Sequence, residues 1–328
     1  MTNGLSGPRK QFLDVLRVLA TCAVVLMHVL TGATDVTDAS IVPEYRSLLL
    51  SVMDLVTWCV PIFLLISGYL FLNPERTLTY PVMIKKYCRR IALAILLFGV
   101  PYAASELVVA ERTFRIRMIP EALKMTLMGH TWSHMWYLYL ILFLYLITPL
   151  LKKVLRVLPV WGVAAVMAVI FLGSSVAPFL NKVLDVNSIP VLPDGGVYFL
   201  YYLCGYFFAV REVCVDKGRN VWLTAAVAVL ALGMILSRTL AGFSIQMAYN
   251  YPFTVLLAVL LFAAGWNGSI KKHRIPWQEA GALSFAVYLV HPVYVNLLYK
   301  FVKITPFTVL EQCGVQSVAA GHDAGDRK

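Results

Sequence analysis

The stretch FLDVLRVLATCAVVLMHVL, residues 12–30, is apolar enough to cross a bilayer and yet carries Asp14, Arg17 and His28. That combination constrains the fold more than any other feature of the chain. Ionisable side chains are expensive in hydrocarbon, and where they occur in a membrane they face a protein interior or a polar cavity. This helix must therefore pack among others. At 100° per residue, Arg17 and His28 point within about 20° of each other and sit roughly 16 Å apart along the axis. Asp14 and Thr21 fall within about 40° of the same line, which lets Asp14 pair with Arg17 one turn away. One helix thereby presents a charged end and a titratable imidazole toward the same interior.

The rest of the chain supplies the other helices. Of 328 residues, 60% are apolar and 14% charged, where a soluble domain carries about 25% charged residues. The mean hydropathy is +0.76. Apolar windows of ~20 residues predict nine spans, at approximately 11–30, 48–72, 89–108, 136–151, 159–178, 197–210, 220–237, 249–267 and 280–302. The expected fold is all-α, a polytopic transmembrane helix bundle over residues 1–303 with an atypical, disordered tail over 304–328. The six cysteines are scattered without a C-x-x-C pair and read as packing residues. The net charge of +11 does not signal nucleic acid, because Lys and Arg gather between the apolar runs as topology signals and lipid contacts. The expected location is the inner cell membrane, with the uncleaved first span acting as a signal-anchor.

Charge placement sets the expected orientation. Arg9 and Lys10 precede the first span, and Lys85, Lys86, Arg89 and Arg90 fill the second connection. Lys152, Lys153 and Arg156 follow the fourth span, with Arg211, Lys217 and Arg219 after the sixth and Lys271, Lys272 and Arg274 after the eighth. The alternate connections are poorer in cations, except the third, which holds Arg112, Arg115, Arg117 and Lys124. The bias puts the N-terminus in the cytoplasm. Arg17 then lies toward the cytoplasmic leaflet and His28 toward the outside. His134, Trp136 and Tyr137 open the fourth span from outside, and Ser284, Tyr288 and His291 share one face of the ninth.

Four segments, in order, resemble the membrane-bound acyltransferase family 3: LDVLR followed by Met27-His28, with ten residues between Arg17 and His28, then VPIFLLISGYLF (Val60 to Phe71), HMWYLYLILFLYLITPLL (His134 to Leu151) and LSFAVYLVHP (Leu283 to Pro292). The resemblance implies ten spans and transfer of an acyl group, usually acetyl from acetyl-CoA, to hydroxyls of extracytoplasmic glycans or related acceptors. Two departures stand out. Val18 follows the arginine where the family often has glycine, and no tenth span is apparent after Lys303.

The chemistry can be argued from the residues. Moving an acetyl group from a thioester to a hydroxyl needs a base for the hydroxyl proton and stabilisation of the developing oxyanion. A neutral imidazole suits the base, so His28, with His291 assisting, is expected to be catalytic. A cation near the cytoplasmic face suits the phosphates of an acyl-CoA donor, which points to Arg17 with its partner Asp14. His134, Trp136 and Tyr288 are expected to meet the acceptor. The H-x3-H spacing of His130 and His134 would suit a metal, but no third ligand is nearby, so none is expected. Two other readings stay open. One is a transporter-like domain for a small polar solute such as an amino acid, as in similar membrane halves fused to racemase domains. The other is an inactive, truncated relative.

Overall fold

The computed structural model describes residues 11–36, 43–210, 217–240, 248–267 and 276–302. The predicted tail over 304–328 and the charges at Arg9, Lys10, Arg211 and 271–274 lie outside the described residues. Among those described there is no strand, and the protein is a helical membrane bundle.

Helix α1 (Gln11–Val36) is the first span. The second is broken into α2 (Pro43–Val56) and α3 (Cys59–Phe71). Pro61 explains the break: it has no N–H to offer the Thr57 carbonyl four residues back, and its ring crowds that carbonyl. The chain turns there, with the Thr57 hydroxyl donating to the Met53 carbonyl at 3.0 Å. The third span covers Tyr80–Glu111 and begins nine residues earlier than expected. It contains α4 (Tyr80–Val82), a π-helical turn over Met83–Cys88, and α5 (Arg89–Glu111). The long connection that follows holds a helix absent from the sequence reading, α6 (Met118–Leu127). It lies back on α5 so closely that a Cβ on Gly99 would come within 2.6 Å of the Thr126 methyl.

Helix α7 (Trp136–Val157) also runs longer than predicted, so Lys152 belongs to a helix and not to a connection. Next come α8 (Val160–Phe171) and α9 (Ala177–Val183), joined by a π-helical turn, and then α10 (Gly195–Val210). The remaining helices are α11 (Lys217–Leu240), α12 (Pro252–Asn267) and α13 (Trp277–Asn296), the last continuing into a π-helical turn over Leu297–Val302. Among the described residues, six helical segments are long and apolar enough to span a bilayer, and shorter apolar helices occupy the sixth, seventh and eighth predicted positions.

The bundle's centre is the crossing of α3 and α10. A Cβ added to Gly68 would lie 2.0 Å from the Tyr202 carbonyl oxygen, and one added to Gly205 would lie 2.2 Å from that of Leu65. Two backbones touch only where neither residue carries a side chain, the small-residue packing by which membrane helices associate without a hydrophobic driving force between them. Tyr201, Tyr202, Phe262, Ile62, Leu64 and Leu65 are fully buried around this crossing. The outside inverts the soluble pattern: Leu97 is 68% exposed, Trp161 75% and Trp222 76%, as lipid-facing side chains should be. Against this core α1 is clasped by α13, where Gly281 admits the side chain of Asp14.

Candidate active site

Three histidines distant in the chain meet at one end of the bundle. His28 comes from the second half of α1, His134 from a short 3-10 turn (Ser133–Met135) that leads into α7, and His291 from α13. Their ring centroids are 5.0 Å apart for His28 and His291, 5.7 Å for His134 and His291, and 6.3 Å for His28 and His134. His134 and His291 are buried, while His28 is only half-buried.

The sequence around His291 fixes its ring. In a regular helix the N–H of residue 292 would bond the carbonyl of Tyr288, but Pro292 has none. The freed Tyr288 carbonyl accepts instead from His291 Nδ1 at 2.9 Å, with the Val287 carbonyl at 3.2 Å from the same nitrogen. Both partners are acceptors, so the neutral ring carries its proton on Nδ1 and its lone pair on Nε2. That Nε2 is buried and, among the described residues, has no hydrogen-bond partner, and the same holds for Nε2 of His134. Buried ring nitrogens are usually paired. Two such orphans, on rings in contact, mark a place where polar groups are held ready for something outside the protein.

Aromatic side chains wall the cluster. The Tyr288 hydroxyl donates to the backbone carbonyl of His134, pinning the turn that carries it. Tyr102 donates to the Leu289 carbonyl at 2.5 Å and stacks flat on Trp132, with centroids 4.2 Å apart and planes 4° apart. Its ring also meets His134 edge-on at 5.6 Å. Trp136 is turned elsewhere: it packs on Tyr198 at 5.2 Å and Tyr249 at 5.6 Å. Tyr249 lies in the connection before α12 and donates to Met27 Sδ at 3.8 Å, beside His28.

Asp14 and Arg17 lie on the same helix as His28, nearer its start. Arg17 Nη1 donates to Asp14 Oδ1 at 2.8 Å, with Asp14 buried and the arginine side chain 24% exposed. The same end holds two cations the sequence reading did not single out for the interior. The Lys152 ammonium, buried, donates to the Asn73 carbonyl, and Arg76 donates to the Leu70 carbonyl at 3.1 Å. Both caps serve carbonyls at the end of α3, where cations offset the helix dipole.

Of the seven residues expected in the site, the structure brings together His28, His134, Tyr288 and His291. Asp14 and Arg17 form a pair at the opposite end of α1, and Trp136 sits one ring away, behind Tyr137. Tyr102 and Trp132 were missed. The only signal for Tyr102 was a phenol within an apolar run, which must find a partner when buried. His130 is exposed and apart from His134. Among the described residues no group of three His, Cys, Asp or Glu side chains has the geometry to hold a metal.

A family model described as an acyltransferase domain matches residues 10–317. The chain belongs to this acyltransferase family. The match takes in every helix that contributes a histidine, and it extends beyond α13 into the segment read from sequence as an atypical tail. No curated protein and no solved structure matches the chain. Membership makes the protein a membrane acyltransferase in the general sense. Among the described residues of this acyltransferase, His28, His134 and His291 meet ring to ring.

Proposed function

We propose that the protein transfers an acyl group, acetyl in the first instance, from acyl-CoA at the cytoplasmic end of the bundle to a hydroxyl of an extracytoplasmic glycan or similar acceptor, with His28 as general base. The observation that carries this reading is the meeting of His28, His134 and His291, with the lone pair of His291 held inside the cluster by the Pro292 irregularity. His28 is the most open of the three rings, so it is the one an acceptor hydroxyl can reach. It takes the hydroxyl proton as the oxygen attacks the thioester carbonyl. The C–S bond then breaks, and the proton is returned to the departing CoA thiolate. His291, its Nδ1 committed to the backbone, faces His28 as an acceptor that orients or relays. Tyr288 and His134 stand where they would meet the acceptor, and the Arg17–Asp14 pair supplies the cation for the donor's phosphates.

The test is transfer itself. Membranes containing the protein, given acetyl-CoA labelled in the acetyl group, should deliver label to a cell-envelope glycan fraction. Membranes from cells lacking the protein should not. Uptake of an amino acid by sealed vesicles, with no transfer of label, would replace this reading with the transporter.

A further inference from the structure

A second feature lies on the face of α13 that carries Phe285 and Leu289. Between α13 and the start of the third span runs an open groove of about 770 Å³. Lys85, Lys86, Arg89 and Arg90 line one end of it, and no carboxylate lines any of it. All four cations are exposed, and among the described residues none of them forms an ion pair within salt-bridge distance. Arg90 is oriented by Phe285, its guanidinium lying 5.0 Å above the ring. Topology signals need only lie near the membrane surface. Here four of them converge on one concavity.

The other end of the groove is hydrocarbon. Leu93, Leu97 and Leu289 form its walls, with Leu97 among the most exposed apolar side chains of the protein. No side chain there offers a hydrogen bond. A pantetheine arm, with its amides, would leave those amides unpaired. A fatty-acyl chain would lose nothing. From Lys85 to Phe98 the face rises about 20 Å at 1.5 Å per residue, and one leaflet of hydrocarbon is roughly 15 Å deep. The groove is therefore long enough for one headgroup and the chain beneath it. Basic pockets between membrane helices are known to take anionic headgroups.

We propose that this groove binds one anionic phospholipid, its phosphate on Lys85, Lys86, Arg89 and Arg90 and an acyl chain along Leu93 and Leu97. The site is coupled to the histidines through Leu289, which lines the groove and whose carbonyl accepts from Tyr102, the ring that meets His134. A seated lipid holds α5 against α13 at that level.

Native mass spectrometry of the full-length protein, released from phosphatidylglycerol or from phosphatidylcholine nanodiscs, tests this. One phosphatidylglycerol should be retained in preference to phosphatidylcholine, and thermal stability should be higher in phosphatidylglycerol. The fourfold variant Lys85→Gln, Lys86→Gln, Arg89→Gln, Arg90→Gln should lose at least about tenfold of that preference. Because removing four topology signals can derange insertion, Leu97→Trp serves as the second variant: it fills the groove, keeps the cations, and should also weaken retention. Absence of any preference in the wild type would overturn the proposal. So would a preference undiminished in Leu97→Trp. Displacement of phosphatidylglycerol by millimolar inorganic phosphate or CoA would overturn it in favour of a soluble phosphate ligand.

Discussion

At the scale of single residues, the arrangement depends on one absent hydrogen. Pro292 frees the Tyr288 carbonyl, and His291 Nδ1 takes it at 2.9 Å. Pro292→Ala should restore the backbone N–H, which would compete for that carbonyl and release the ring. We expect turnover to fall about tenfold, less than the 10²–10⁴-fold that follows removal of a base itself. The helix should be no less stable, because an internal proline costs a helix about 3 kcal/mol. Unchanged turnover in labelled acetyl transfer would mean that this bond does not position the ring. Arg17→Ala makes a different prediction. If Arg17 holds donor phosphates, CoA affinity measured by titration calorimetry should drop by the ~1.5–3 kcal/mol of a charge-assisted hydrogen bond. The buried Asp14 would also lose its cation, so thermal stability should fall with it. A fall in stability with CoA affinity intact would leave Arg17 a structural partner only. The facing of Arg17 and His28 was legible because both lie on one helix, where the 3.6-residue period applies. The place of His134 was harder to read, since it precedes α7 in a 3-10 turn where that period fails. Trp136, two residues further on and already helical, consequently points away from the histidines.

At the scale of elements, the bundle is organised by close backbone contacts that composition does not reveal. A Cβ at Gly205 would lie 2.2 Å from the Leu65 oxygen and 2.5 Å from the Tyr69 nitrogen. These are backbone atoms, so no side chain can swing away. Gly205→Ala should therefore cost at least the ~1–3 kcal/mol of an overpacked core. It should be read as a lower melting temperature in detergent and a lower yield in membranes. Wild-type stability in that variant would mean that α3 and α10 do not cross here. The positions of the helices were largely readable from apolar runs. Their ends were not: the third span begins at Tyr80 and the fourth runs to Val157, because Lys, Arg and Tyr side chains at the margins lowered the apolar signal while leaving the helix intact. Helix α6 was missed for a related reason. Its apolar stripe is short and interrupted by charge, and it is held by contact with α5.

At the scale of the whole molecule, the bundle has two chemically different ends. Arg17, Arg76, Lys152 and the cationic groove lie at one, and the three histidines lie at the other. The sequence already implied this polarity through α1 alone, with its arginine early and its histidine late. It did not reveal that helices remote in the chain would close on His28, because such pairings leave no local pattern. The proposed transfer, from a donor held at Arg17 to an acceptor met at His28, would use this separation. The account rests on His28, so the most direct measurement is labelled acetyl transfer by membranes carrying wild type, His28→Ala or His291→Ala at matched expression. His28→Ala should lose 10²–10⁴-fold in rate with CoA binding retained, and His291→Ala should lose less. Wild-type transfer by His28→Ala would contradict the assignment of the base and, with it, the mechanism.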